Sequence, residues 1–358
     1  MNISSINLRW LRLPLEVPYR LSYRTFEEFE PFYVEIRTGD GAVGFGDGHV
    51  SPGSSAETRD GAWAFSQALA EALVGLPVTA AERVVASRQE ESKVAASAFA
   101  TALEVLSGTP LIDVRERAQL PLLVPVNATD IDAIPAEVEQ LLARGFRTFK
   151  VKVGKDVDAD LARVAAIQTA VPGRATLRLD ANRAFDREQG CRFAAALDPA
   201  GIELFEQPCA AEDWDANGAV ARVSTVPLML DEPICTLDDI RRAGDMPGVR
   251  LCKLKLKRFG SMAALHRSLE AVRAHGMEPV LGDGLGSDIT SWMEACVARD
   301  TIRNAGEFNG FLKPTGGLLS PPLTFADGAV ILPAGYRPAI DADALETSTT
   351  QSLLFGRP

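Results

Sequence analysis

From about Pro121 onward, short apolar runs rich in strand-forming residues recur roughly every 23–28 residues. They are LLVPVN (122–127), RTFKVKV (147–153), ATLRLD (175–180), GIELFE (201–206), PLMLD (227–231), VRLCKLK (249–255), EPVLGD (278–283) and TIRNA (301–305). Stretches with helical periodicity separate them, among them AEVEQLLARG, ADLARVAAIQTAV and MAALHRSLEAVRAHG. A chain with this rhythm stacks strand–helix units, and eight strands predict an α/β fold of (β/α)8-type barrel architecture. An open doubly wound sheet is the alternative. Gly- and Pro-rich sequence follows the last run, so the final helix is expected to be missing and the barrel to take a (β/α)7β form.

The first 118 residues follow a different pattern. INLRWLRLPL and FYVEIRTGDGAVGFGD read as strands, the second broken by the turn Thr38-Gly39-Asp40-Gly41. YRLSYRTFEEFEP between them reads as an aromatic, charged loop. From Ala56 to about Leu106 the pattern is Ala-rich and helical, interrupted at Gly75-Leu76-Pro77. Strands followed by helices predict an α+β capping domain over 1–118, a barrel over 119–327, and a C-terminal segment, 328–358, that returns to the cap.

Three of the barrel runs end in carboxylates: Asp180 in LRLDAN, Glu206 in ELFEQP and Asp231 in LMLDEP, separated by 26 and 25 residues. On adjacent parallel strands all three emerge at the C-terminal end, where barrels carry their chemistry. Three oxygen donors without His or thiolate suit a hard divalent cation, so Mg2+ is the expected cofactor, with Mn2+ as a substitute. An Asp after a strand is also a common helix N-cap, the plain reading for any one of them. Lysines flank the group: Lys150 and Lys152 one unit earlier, Lys253 and Lys255 one unit later. Residues two apart share a face of a strand. A second ammonium and a divalent cation both press a lysine toward its neutral, basic form. Such a lysine can abstract a proton α to a carboxylate, whose enediolate the metal stabilises. Lysines on opposite sides would then deliver racemisation.

The net charge of −11 excludes general nucleic-acid binding and an acidic membrane surface, leaving a small-molecule carboxylate as the expected substrate. The five cysteines, Cys191, Cys209, Cys235, Cys252 and Cys296, form no CxxC and read as reduced thiols. No run approaches membrane-spanning length and MNISSINLRW has no signal pattern, so a cytoplasmic location is expected.

The K-x-K at Lys150-Val151-Lys152, D-A-N from Asp180, E-Q-P from Glu206, D-E-P from Asp231, Lys255-x-x-x-x-Gly260 and the segment Gly44-Phe45-Gly46-Asp47 together resemble the enolase superfamily, and within it the muconate lactonizing enzyme subgroup. A Lys base with Mg2+ is a standard pairing there. The resemblance implies Asp180, Glu206 and Asp231 as metal ligands, Lys152 and Lys255 as acid/base residues, and Lys150 and Asn182 in supporting roles. It also implies a homo-oligomer. The His found after the seventh strand in the mandelate racemase subgroup is absent; VLGDGLGS stands there. The Glu common in that loop is replaced by Gly286, with Asp283 nearby. The D-x-D of dipeptide epimerases appears as Glu307-Phe308-Asn309.

These departures make Asp283, Glu307 and Asn309 the expected substrate contacts, joined by Tyr23 and His49 from the two candidate capping loops. Solvent-exposed positions are the plain reading for Tyr23 and His49, and a pairing with Arg303 or Lys313 is the plain reading for Glu307. Lys253 is expected to pair with an acid deeper in the barrel, Lys257 to be a solvated or loop residue, and Glu232 to sit behind the metal ligands. The expected reaction is Mg2+-dependent proton abstraction α to a carboxylate, with racemisation or epimerisation of an amino-acid derivative as the first reading. A dehydratase or cycloisomerase and a non-catalytic binding barrel are the alternatives.

Overall fold

The computed structural model describes residues 1–20, 25–51 and 57–357. Seven parallel strands run in sequence order: Val124–Pro125, Thr148–Lys152, Thr176–Asp180, Ile202–Glu206, Leu228–Leu230, Val249–Leu254 and Glu278–Leu281. Each is followed by a helix, from Ile134–Ala143 after the first to Asp288–Thr301 after the seventh. The parallel registers align Lys152 with Asp180 and Asp180 with Glu206, so the chemically active strand ends lie at one level.

The eighth run does not form the expected strand. Thr301 ends the preceding helix, and residues 302–305 are irregular. Closure comes instead from Gly306 and Glu307. The Gly306 N–H donates to Pro121 O at 2.9 Å, the Leu123 N–H donates to Gly306 O at 3.0 Å, and the Glu307 N–H donates to Leu281 O at 2.9 Å. Side chains supply bonds that a longer ladder would have made. Arg178, inside the barrel and 1% exposed, donates to Ala305 O at 2.8 Å, and Asn304 donates to Pro279 O at 2.9 Å. Gly282 permits the tight join, because a Cβ there would lie 2.5 Å from the Phe308 nitrogen.

The capping domain is a four-stranded antiparallel sheet in the order Thr349–Gly356, Ile3–Leu11, Phe32–Thr38, Val43–Gly48. Helices Arg59–Leu73, Val78–Ser87 and Lys93–Leu106 bury the apolar face of the sheet. The expected aromatic loop is in part a hairpin: Leu13–Arg20 pairs with Thr25–Phe29, and Leu13, Phe26 and Phe29 join the barrel-side core. The charged residues of this segment fall between those apolar anchors, which hid the alternation.

The Gly44-Phe45-Gly46-Asp47 motif has a packing explanation. Gly44, Gly46 and Gly48 lie on the face that meets helix Lys93–Leu106, where a Cβ at Gly46 would fall 2.4 Å from Ala98 O. The alternate residues face the barrel. Phe45 stacks on Trp292 at 5.9 Å, and Asp47 accepts from Ser287 at 2.8 Å and Thr290 at 2.6 Å. The cap is further tied down by Glu104, whose carboxylate accepts the first N–H groups of helix Met262–Ala274 from Met262 and Ala263. Among the described residues no helix is long and apolar enough to cross a membrane.

Candidate active site

Asp180 and Glu206 are the last residues of their strands, and Asp231 directly follows Leu228–Leu230. All three are buried. Four lysines meet them in two layers. In the inner layer the Lys150 ammonium lies 2.9 Å from Asp180, 3.1 Å from Glu206 and 3.0 Å from Glu307. Lys253 lies 3.1 Å from Glu206 and also bonds Glu307. In the outer layer Lys152 donates to Asp180 at 2.6 Å and to Asn182 at 2.5 Å, while Lys255 donates to Asp231 at 3.0 Å. The layers follow from the two-residue spacing of each lysine pair along its strand.

Exposure divides the layers. The side chains of Lys150 and Lys253 are 4% and 2% exposed, whereas those of Lys152 and Lys255 are 32% and 12% exposed. The inner pair is enclosed and ion-paired; the outer pair opens toward the barrel mouth.

The electrostatics follow from this crowding. Burial pushes the Asp180 carboxyl up, but Lys150, Lys152 and Lys253 outweigh it and hold the group below the usual range. Asp231 is likewise held down against burial by Lys255 and Arg258. Glu206 goes the other way, to about 7, because burial and repulsion from Asp180 exceed the pull of the lysines. Lys150 departs from the expected lowering by its neighbour. Burial does depress it, but the carboxylates of Asp180, Glu206 and Glu307 more than compensate and raise it.

The donor set fits a hard cation: three buried carboxylates on adjacent strand ends, one of them pushed up to about 7 by burial and then by a second carboxylate of the set. A divalent ion would relieve that repulsion. Among the described residues no three acidic, His or Cys side chains already form a metal cage, because ammonium groups lie between the carboxylates. Binding an ion would therefore move lysine contacts away from Asp180 and Glu206.

The other expected residues take the following places. Asn182 is beside Lys152, in a left-handed backbone conformation with φ +44°. Asp283 pairs with Lys257 at 2.5 Å and faces Lys255 at 3.6 Å, so Lys257 is not a solvated residue. Glu232 sits behind Asp231 and pairs with Arg183 at 3.3 Å. Glu307 pairs with neither Arg303 nor Lys313; it is the deep acid for Lys253 and shares itself with Lys150. Asn309 does not align with it, donating instead to Leu123 O at 2.8 Å and accepting from Lys313 at 2.9 Å. The chain past Ala305 is not an extended strand, and the 3-10 turn Gly310–Leu312 starts at once, so a two-residue spacing no longer means a shared direction. His49 is 6% exposed and packs edge-on against Phe29 at 5.0 Å rather than lying in solvent. Tyr23 lies outside the described residues.

Arg258 was not anticipated. From the short helix Leu256–Phe259 it reaches Asp231 O at 2.5 Å and the Asp231 carboxylate at 2.8 Å. Its only sequence signal is its place three residues after Lys255, in a turn that ends at Gly260. Gln207 is a second omission: it accepts from the Asp231 N–H at 2.9 Å and so fixes the approach of that strand end.

Comparison with known proteins agrees with this architecture. Residues 133–338 match the enolase C-terminal domain-like family, and residues 5–119 match the mandelate racemase / muconate lactonizing enzyme N-terminal domain. A hydrophobic dipeptide epimerase from Citrifermentans bemidjiense is 32% identical over 70% of this chain and 73% of its own. A chloromuconate cycloisomerase from Cupriavidus pinatubonensis is 28% identical over 84% and 86%. The crystal structure of N-succinyl Arg/Lys racemase from Bacillus cereus superposes with a TM-score of 0.89 over 99% of this chain and 100% of that one, at 22% identity. The two-layered lysine and carboxylate cluster thus stands on the barrel and cap of an enzyme family, and the chain belongs to the mandelate racemase/muconate lactonizing enzyme branch of the enolase superfamily.

Proposed function

We propose that the protein is a racemase or epimerase that moves the α-proton of a carboxylate-bearing amino-acid derivative, with Lys152 and Lys255 as the two acid/base residues. The observation that carries this reading is the exposure split. Of the four lysines in the cluster, the outer two open to the mouth, and their strands lie on opposite sides of the three carboxylate strands. A substrate lying across the carboxylate row would present one face to each lysine.

Asp180, Glu206 and Asp231 are the residues that would hold Mg2+. A bound cation would supply Lewis-acid stabilisation of the charge that develops on the substrate carboxylate. Lys152 takes the α-proton from one face, and Lys255 returns a proton to the other. Lys150 and Lys253 stay charged beneath the site, paired with Glu206 and Glu307. Asn182 holds the Lys152 amine at 2.5 Å, and Arg258 steadies Asp231. Relatives named as epimerases, racemases and cycloisomerases support proton abstraction as the common step.

The test is a screen of N-acyl amino acids, dipeptides, proline derivatives and hydroxy acids with Mg2+ in D2O, read by mass and optical rotation. Racemisation gives deuterium at the α-carbon together with loss of rotation. Loss of water, or ring formation without loss of rotation in recovered substrate, would replace this reading with elimination or cycloisomerisation.

A further inference from the structure

One more cation stands at the mouth, in surroundings unlike those of the barrel lysines. Lys313 donates to Gly284 O at 2.6 Å and to Asn309 Oδ1 at 2.9 Å, with Asn309 O at 3.4 Å. These acceptors are all neutral. Among the described residues no carboxylate forms an ion pair with it. The acids that act on it from further away are committed elsewhere: Glu307 to Lys150 and Lys253, Asp283 to Lys257. Burial therefore prevails and presses the Lys313 ammonium down to about 8.

Its position is built rather than incidental. The acceptors come from the loop after the seventh strand and from the closing segment, the two ends that complete the barrel mouth. The backbone at Lys313 is stitched to the capping strand Leu13–Arg20, with the Glu16 N–H donating to Lys313 O at 2.9 Å and the Thr315 N–H donating to Pro14 O at 2.9 Å. From the same strand the Tyr19 ring lies 4.6 Å from the ammonium. Tyr19 is partly exposed, and its hydroxyl lies within the field of Glu307, Lys150, Lys253 and Asp283.

We infer that Lys313, with the Tyr19 ring beside it, is a specificity-determining residue that receives a second carboxylate, at the end of the substrate away from the reacting carbon. The inference rests on the α-proton reading above and deepens it. Glu307 and Asn309 are both engaged within the protein, so the group facing the mouth is a cation and selects an anion. The long contact to Asn309 O is the one a carboxylate oxygen would replace.

Binding tests this independently of turnover. N-succinylglycine carries the second carboxylate on the acyl arm, and N-acetylglutamate carries it on the side chain. Each is titrated calorimetrically against its neutral ω-amide, with Mg2+ present. The wild-type protein is expected to bind at least one acid 10-fold or more tighter than its amide, and the arm that shows the preference identifies where the carboxylate sits. Lys313→Met should bring that ratio to about one, and Lys313→Arg should retain a preference for the acid. No preference for either acid in the wild-type protein, or an unchanged ratio in Lys313→Met, overturns the assignment. Deuterium exchange of the same compounds is measured separately. A preserved ratio without α-proton exchange would remove the catalytic reading and leave the anion subsite standing.

Discussion

Lys150 and Glu307 face each other inside the barrel with both carboxylate oxygens 3.0 Å from the ammonium. The same carboxylate bonds Lys253, and the backbone N–H of Glu307 holds Leu281 O. One residue therefore bridges the two inner lysines and closes the barrel where a regular eighth strand is missing. Burial pushes its carboxyl up, but Lys150 and Lys253 overcome this and bring it to about 2.

Glu307→Gln should destabilise the protein by about 3 kcal/mol, because it strips a charge from a buried cluster and leaves two ammoniums undercompensated. Urea unfolding at pH 7.5 measures it. A midpoint equal to that of the wild type would show that the inner cluster does not depend on this carboxylate.

Asp231→Asn should weaken Mg2+ binding at least 10-fold by calorimetry, since one of three formal charges disappears with little change in shape. Mg2+ should raise the melting temperature of the wild-type protein through preferential binding to the folded state, and raise that of the variant less. EDTA should abolish turnover, with Mg2+ or Mn2+ restoring it. Full turnover by verified metal-free protein would remove the metal from the account.

Asp47 links the cap to the loop after the seventh strand, and burial raises its carboxyl from 3.8 to about 6 despite bonds from Thr290 and Ser287. An acid with a raised folded pKa contributes stability that is complete below the unfolded value and is lost as pH rises through the folded one. Asp47→Asn lacks that contribution. The stability advantage of wild type over variant should therefore grow as pH falls from 7.5 toward 4, by up to about 3 kcal/mol for a shift of roughly two units. Paired urea titrations across this range test the sign; an advantage that shrinks on acidification would contradict it.

Much of this arrangement was legible because it depends on short-range pattern. The apolar runs that end in Asp180, Glu206 and Asp231 define strands whose order and direction follow from their spacing. Lys150 with Lys152, and Lys253 with Lys255, share faces because strands have a period of two. The period fails where the backbone stops being regular, and there the reading fails too. TIRNA has strand-like composition, yet Thr301 belongs to a helix and Arg178 satisfies a carbonyl that a ladder would have taken. Without that strand the directions of Glu307 and Asn309 could not be read from their spacing. Arg258 reaches Asp231, 27 residues away, and Lys313 reaches Gly284, 29 residues away, so the local pattern around each does not reveal its partner. The hairpin at Leu13–Phe29 was masked by charged residues set between its buried anchors.

The central claim is that Lys152 and Lys255 serve opposite faces of one carbon. Its most direct measurement follows deuterium incorporation into each enantiomer of the substrate found by the D2O screen, using Lys255→Ala. Racemisation should fall by about 100-fold or more, in the range for loss of a general acid or base. One enantiomer should still take up deuterium with its configuration retained, through Lys152, while the other should not. Equal uptake by both enantiomers, or racemisation at the wild-type rate, would contradict the two-face assignment.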